Sequence, residues 1–278
     1  VAASNDKACD IIGAGCLTPE TGCISFGTTA TINTQNQKYV ELRPMLPPYP
    51  SAVPGEYYTE VAVVRGLWMV SWFKDEFGLQ ERLTAADSGQ APEDLLEELV
   101  RAVPAGSQGL ICQPYWTPGP DLEPYAKGAV FGFGDVHTRA HLYRAILEGI
   151  VFAMKDGAQL TQKKTGVPIV ELRATGGGSR SDSIMQMTAD IFDLPVYRPH
   201  TPETSVIGAA MDAAVGMGVY SDITQAAGHM TQQAEEFGPD PATRDLYGEL
   251  YERVYSKTYG QLRPLYKEIQ KITGYPKL

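Results

Sequence analysis

The chain is short of basic residues. Its 278 residues include 23 Lys and Arg against 33 Asp and Glu, for a formal net charge of −10. Proteins that bind nucleic acid use clustered cations to release counterions from the phosphates. No Lys/Arg run is present, so nucleic acid is excluded as a partner. Long apolar runs are also lacking. Stretches such as Gly149-Ile150-Val151-Phe152-Ala153-Met154 fall far short of the roughly 20 residues a bilayer demands, so no membrane partner is expected. Cysteine is scarce. Cys9, Cys16 and Cys23 are evenly spaced, in a pattern no common zinc site uses, and neither they nor Cys112 has a His nearby. They are read as small buried thiols in a reducing cytoplasm. No signal-peptide pattern is seen. There is no initiator Met, and the chain reads as a fragment that opens directly before a motif. His137 and His141 share a helical face, but Thr138, Arg139 and Ala140 between them supply no acidic partner, and no metal site is assigned.

What remains is an ordinary soluble composition, 43% hydrophobic and 20% charged. An acidic protein of this kind suits a small ligand held by backbone amides or a metal ion. Strands and helices alternate along the chain, which points to the α/β class. A small-residue helix is expected over Asp6 to Gly15, packed closely on a sheet. Cys23 to Phe26, Gly27-Thr28-Thr29 and Ala30 to Ile32 read as strand, tight turn and strand. Gln35 to Tyr58, with its prolines, reads as a loop with short edge strands. Helices are expected over Glu60 to Gly78, Pro92 to Val103 and Thr138 to Thr165, the last carrying an Arg144/Glu148 pair. Leu110 to Cys112 reads as a buried strand and Pro114 to Gly134 as a loop. Ile169 to Ala174 is a strand that runs into Gly176-Gly177-Gly178-Ser179, followed by a helix from about Ser181 to Phe192. Pro195 to Arg198 is a strand, and Ser205 is a candidate cap for a helix through Gly218. A closing helical segment over Asp240 to Thr273 is expected to break near Pro264.

Three features could carry chemistry, and each also has a plain structural explanation. The Gly176-Gly177-Gly178-Ser179 turn lets a ligand approach the backbone, and a following helix would aim free N–H groups at it. It is not a Walker sequence, because no Gly-Lys-Ser/Thr follows. The alternative is a tight turn with no ligand. The Gly27-Thr28-Thr29 tip offers amides and hydroxyls to a terminal phosphate, or is an ordinary hairpin. Asp6 could take a proton from an attacking hydroxyl, or could cap a helix.

Their order along the chain resembles the C-terminal domain of the FGGY carbohydrate kinases. The resemblance runs over essentially the whole of residues 1–278. It is carried by Ser4-Asn5-Asp6-Lys7 ahead of Gly27-Thr28-Thr29, and by Gly66 through Trp72-Phe73-Lys74-Asp75. It continues in Lys127 to Gly132, His137-Thr138-Arg139-Ala140-His141 and Arg144-Ala145-Ile146-Leu147-Glu148-Gly149. Gly176-Gly177-Gly178-Ser179, with Met185-Gln186 and Ala189-Asp190, and Ile207-Gly208-Ala209-Ala210 through Gly218 complete it. The His-Thr-Arg-Ala and Arg-Ala-Ile-Leu-Glu-Gly segments are its most specific part.

The resemblance implies an actin/hexokinase-type ATPase fold, with this chain as a ribonuclease-H-like C-terminal half. It implies ATP and Mg2+ as cofactors and a sugar or polyol as the phosphoryl acceptor. By position, Asp6 would be the general base. Gly27, Thr28 and Thr29 would face the terminal phosphates. Gly66, Gly176, Gly177, Gly178, Ser179 and Ser181 would line the nucleotide. A sugar-binding N-terminal half, with the family's Asp-x-Gly-Thr/Ser loop, is absent from the chain and is the partner expected. The oligomeric state is open, homodimer included. Two departures stand out. Lys7 occupies a place where the family often has Asn or Gln, and Ser181-Asp182 a place where some members have Asn. A nucleotide-binding regulatory module of the same fold, or a domain using the glycine turns for another phosphate, would be the competing readings.

Overall fold

The computed structural model describes residues 4–44, 46–118 and 122–277. Residues 119–121 of the loop expected over 114–134 and the Val1 start lie outside that description. The described chain forms two compact units of interleaved segments. One comprises residues up to Gly27, Thr31–Ala62 and Met154–Pro239. The other comprises Thr28–Ala30, Val63–Ala153 and Asp240 onward.

The first unit opens with α1 (Asp6–Gly13), followed by β1 (Thr21–Phe26), β2 (Ala30–Asn36), β3 (Tyr49–Pro50) and β4 (Tyr57–Val63). The Asn5 side chain accepts the Ala8 N–H at 2.7 Å, so Asn5 caps α1 and Asp6 is left outside that role. The strand at β4 corrects the helix expected from Glu60. Thr59, Val61 and Val63 are buried in alternation with half-buried Glu60 and Ala62, a period of two that favours a pleated strand over a helix.

The second unit contains α2 (Trp68–Phe77), α3 (Leu79–Ser88), α4 (Pro92–Arg101), β5 (Ile111–Gln113) and β6 (Ala129–Phe131). β6 pairs with β5 inside the stretch expected to be loop throughout. α5 (Arg139–Thr165) follows, its residues to Ala153 in this unit and the rest in the first.

The chain then returns to the first unit with β7 (Glu171–Thr175), α6 (Asp182–Phe192), β8 (Val196–Pro199), α7 (Thr204–Gly216), α8 (Ile223–Met230) and β9 (Gln233–Phe237). Ser205 sits inside α7, not at its cap; Glu203 holds that place and makes no side-chain cap bond. Helices α9 (Pro241–Leu250) and α10 (Ser256–Thr273) close the second unit. The break between them is a π-helical turn, Tyr251–Tyr255, and not Pro264, which α10 accommodates in its interior.

The main sheet runs β3-β4-β2-β1-β7-β8-β9. β1, β7 and β8 are parallel, while β9 is antiparallel to β8. The short loop between neighbours β1 and β2 leaves room only for an antiparallel hairpin. Leaving aside the edge strands β3 and β9, the central order is β4-β2-β1-β7-β8. Every residue of β1 and β2 is buried, as expected of strands covered on both faces.

On one face α1 packs with the sheet and with helices α7 and α8. Ile11 and Ile12 join Cys23, Tyr58, Met211 and Ala226 in one apolar cluster. The contact with α7 is made by backbone. A Cβ at Gly208 would lie 2.0 Å from the Cys9 carbonyl oxygen, and one at Gly13 would lie 1.9 Å from that of Thr204. Only glycine allows the two helices to meet so closely. All four cysteines are unpaired and buried.

Candidate active site

Parallel strands end their carboxyl edges together, and in open α/β sheets ligands collect just outside those edges. A cleft of about 230 Å³ lies there, lined by Asp6, Lys7, Asp10, Ser25, Gly176, Gly177, Pro202, Glu203 and Ser205. Ser25 is near the end of β1, Gly176 follows β7, and Pro202 to Ser205 follow β8 and begin α7. A larger cavity of about 410 Å³ is lined by Leu17 to Glu20 and Gln35 to Lys38, among others. It lies at the amino end of β1, away from the carboxyl edge where ligands of such sheets collect.

Asp6 is exposed at the first position of α1, and its Oδ1 accepts the Lys7 N–H at 2.8 Å. Lys7 reaches forward along the helix, its Nζ 3.3 Å from Asp10 Oδ2. Asp10 is buried. Its Oδ2 also accepts the Thr175 hydroxyl at 3.0 Å, and its Oδ1 accepts that of Thr204. Half-buried Glu60 on β4 stands nearby. Burial raises its carboxyl above the ordinary carboxylate range, with Lys7 opposing and the Asp6 charge reinforcing the shift. The cleft thus holds three carboxylates, from Asp6, Asp10 and Glu203, against one ammonium.

The glycine turn differs from its expected form. A 3₁₀ turn, Gly177–Arg180, separates β7 from α6, so the helix begins one turn beyond the glycines. Gly176 has φ +79°, and a Cβ there would lie 2.8 Å from the Phe26 carbonyl oxygen, so packing alone demands glycine. Gly177 differs: a Cβ would meet nothing within 4 Å. No packing reason excludes a side chain there, and the residue opens on the cleft. Ser179 is buried and donates its hydroxyl to the Gly176 carbonyl at 2.8 Å, closing the turn. Gly178 lies within the same turn. Ser181 caps α6, accepting the Ile184 N–H at 3.1 Å.

The other expected positions fall elsewhere. Gly27 ends the β1 segment of the first unit, whereas Thr28 and Thr29 belong to the second. Both threonines are exposed at the hairpin tip, and the Thr29 hydroxyl donates to the Val64 carbonyl at 3.0 Å. Gly66 is also in the second unit, where a Cβ would lie 2.3 Å from the Ala30 nitrogen, a close approach that itself requires glycine. Sequence reasoning did not single out Asp10, Glu203 or Ser205 as cleft residues. Asp10 had a usable signal: it lies four residues after Asp6 and so on the same face of α1.

The sheet order and a cleft of carboxylates and glycine at the strand ends define a ribonuclease-H-like unit of the actin/hexokinase ATPase type. Residues 22–217 match the family model of the FGGY family of carbohydrate kinases, C-terminal domain. The uncharacterized sugar kinase YgcE of Escherichia coli is 32% identical over 92% of this chain and 52% of its own length. A xylulose kinase of Lactococcus lactis is 29% identical over 91% of this chain and 50% of its own length. The crystal structure of xylulose kinase from Rhodospirillum rubrum superposes with a TM-score of 0.79 at 29% identity, covering 95% of this chain and 51% of that one. The chain belongs to the FGGY family of carbohydrate kinases, and it spans about half the length of the curated relatives it matches. Asp6 lies ahead of the span the family model matches. No helix among the described residues is long and apolar enough to cross a membrane.

Proposed function

We propose that residues 1–278 act as the C-terminal, nucleotide-binding domain of an ATP-dependent sugar kinase, with Asp6 as the general base. The observation that carries this reading is the cleft at the carboxyl ends of β1, β7 and β8, where a carboxylate outside the capping role and the uncrowded Gly177 line one space. Phosphoryl transfer needs positioning and charge stabilisation, with one group to accept the proton of the attacking hydroxyl. Asp6 would take that proton on a free carboxylate oxygen, while α1 holds its backbone in place. The first turns of α1 and α7 both reach the cleft, and their N–H groups favour a phosphate.

ATP with Mg2+ is the cofactor pair of this reading: no group of three metal-ligating side chains stands together among the described residues, so the exposed Asp6 and Glu203 carboxylates and the phosphates themselves would hold the ion. The carboxylates outnumber the single ammonium, so a polyphosphate would enter best with a divalent cation, and carboxylate oxygens suit Mg2+. When bound, Mg2+ would neutralise charge on the transferring phosphoryl group. Gly176, Gly177, Gly178 and Ser179 would form the wall against which nucleotide lies, with Ser181 holding α6 behind it. Thr28, Thr29, Gly27 and Gly66 complete the assignment as nucleotide-facing positions.

The acceptor is proposed to be a ketose or polyol, with a xylulose-like ketose favoured by the xylulose kinases among the relatives. Its binding groups belong mainly to an N-terminal half, the partner this reading requires. Buried free thiols suit a reducing, cytoplasmic setting.

The test is sugar-dependent ADP release by the chain joined to its N-terminal half, over a panel of ketoses, aldoses and polyols. One sugar should stimulate release. Asp6→Asn should cut turnover by about 10²- to 10⁴-fold while nucleotide binding persists. ATP binding without stimulation by any sugar would replace the kinase with a nucleotide-binding module.

A further inference from the structure

Asp10 is out of place for a core residue. It lies on the buried face of α1, between Cys9 and Ile11, where a carboxylate is costly unless it is paired and hydrogen-bonded. Its partners come from three separate stretches of chain. Lys7 is on α1, Thr175 is the last residue of β7 immediately before Gly176, and Thr204 is the first residue of α7. Those three stretches supply most of the cleft: Asp6 and Lys7, then Gly176 and Gly177, then Glu203 and Ser205. Both Asp10 oxygens are engaged by these donors, so the group acts through its neighbours. The bond to Lys7 also turns that ammonium along the helix, although Lys7 stands where a sugar contact is expected in the family.

We infer that Asp10 is a positioning residue of this cleft. Its carboxylate ties the glycine turn and the start of α7 to the helix that carries Asp6, and it restrains the Lys7 ammonium. An apolar residue could fill the same volume, but it could not fix three segments by directional bonds. The inference rests on the kinase reading. It adds a role for a residue that touches neither phosphate nor sugar.

The experiment compares Asp10→Asn, Asp10→Leu and Thr204→Val in the two-half protein. Turnover is measured per folded molecule, beside KM for ATP and sugar and the melting temperature. Asp10→Asn keeps one oxygen able to accept a threonine hydroxyl, whereas Asp10→Leu keeps none. Misplacing reacting groups by about an ångström costs on the order of 100-fold. Asp10→Leu should therefore lower kcat by about 10- to 100-fold, and Asp10→Asn by less. Thr204→Val, the variant expected to fold most readily, should reproduce part of that loss. KM values should stay within about 3-fold, because the binding surfaces themselves remain. If all three variants melt lower yet keep wild-type kcat per folded molecule, Asp10 is only structural and the inference is overturned. If the unaltered protein shows no sugar-dependent turnover, the kinase reading fails first, before any variant is compared, and the inference falls with it.

Discussion

Glu148 in the second unit and Asp10 in the first each sit buried in a hydrogen-bonded cluster, and the two clusters serve different ends. In the second unit Glu148, only 2% exposed, accepts from Gly106 N at 2.9 Å, Ser107 Oγ at 2.8 Å, Arg144 Nε at 2.8 Å and Tyr247 OH at 2.7 Å. Arg144 then donates to the carbonyls of Val100 and Val103 and to Tyr247 OH. Burial, with the Glu148 charge beside it, pushes the Tyr247 hydroxyl far above its usual range. The cluster joins α4, α5 and α9 and lines none of the clefts described above. In the first unit Asp10 has three partners, Lys7, Thr175 and Thr204, and it borders the cleft. A carboxylate enclosed wholly within the scaffold is a fastening. One that also borders open space fixes neighbours that are able to meet a ligand.

The comparison is tested most severely by Glu148→Ala. It would leave Arg144 buried without its carboxylate, and breaking a buried pair typically costs about 3–5 kcal/mol. Urea unfolding should register that loss, and nucleotide affinity of the folded fraction should hold. A stability unchanged by Glu148→Ala would remove the distinction between the clusters. Gly176→Ala is next. A methyl group there meets the Phe26 carbonyl, and the residue must keep a conformation other side chains rarely adopt, at a cost of about 1–3 kcal/mol. Tyr247→Phe should cost about 1–2 kcal/mol, since Glu148 and Arg144 each lose one of several partners. Its turnover should match wild type if the second cluster is only a fastening.

The two clusters also show what sequence reveals. The segment from Arg144 to Gly149 is among the most family-specific stretches, and it builds scaffold: Arg144 and Glu148 are the fastening, and Gly149 lets α5 approach the Cys112 carbonyl. The neighbouring Arg139 likewise serves a bidentate pair with buried Glu81, both bonds 2.7 Å long. A motif records that a position is constrained and leaves the cause unstated. Secondary structure was legible where periodicity was long and unmixed, as in α5, or where a turn was flanked by β-branched residues, as at Gly27 to Thr29. It failed at β4, where apolar residues satisfied a helical reading and sheet pairing decided otherwise. It failed again at β6, a short strand that exists only because β5 is there to pair with it. In the cleft, Asp6 and the glycine turn could be found by motif. Glu203, Ser205 and the bonds of Asp10 could not, because they depend on α7 meeting α1 from a distant part of the chain.

Gly177 gives the finest test of that division, and the smallest expected change in stability. Its neighbour Gly176 is glycine for packing. Gly177 lacks that reason, since its Cβ position is open and its backbone is not in the left-handed region. Gly177→Ala should therefore leave stability unchanged or raise it by up to about 1 kcal/mol, by restricting the unfolded chain. If the open space is where the nucleotide meets backbone, the added methyl intrudes on the ligand alone, and nucleotide binding should weaken by about 1–3 kcal/mol, the usual cost of overfilling a packed contact. Thermal melting and isothermal titration with ATP and Mg2+ separate the two quantities. A variant that melts like wild type and binds nucleotide poorly would place the nucleotide at this turn. One that binds equally well would move the nucleotide away from Gly177 and leave Gly176 as a glycine of the fold alone.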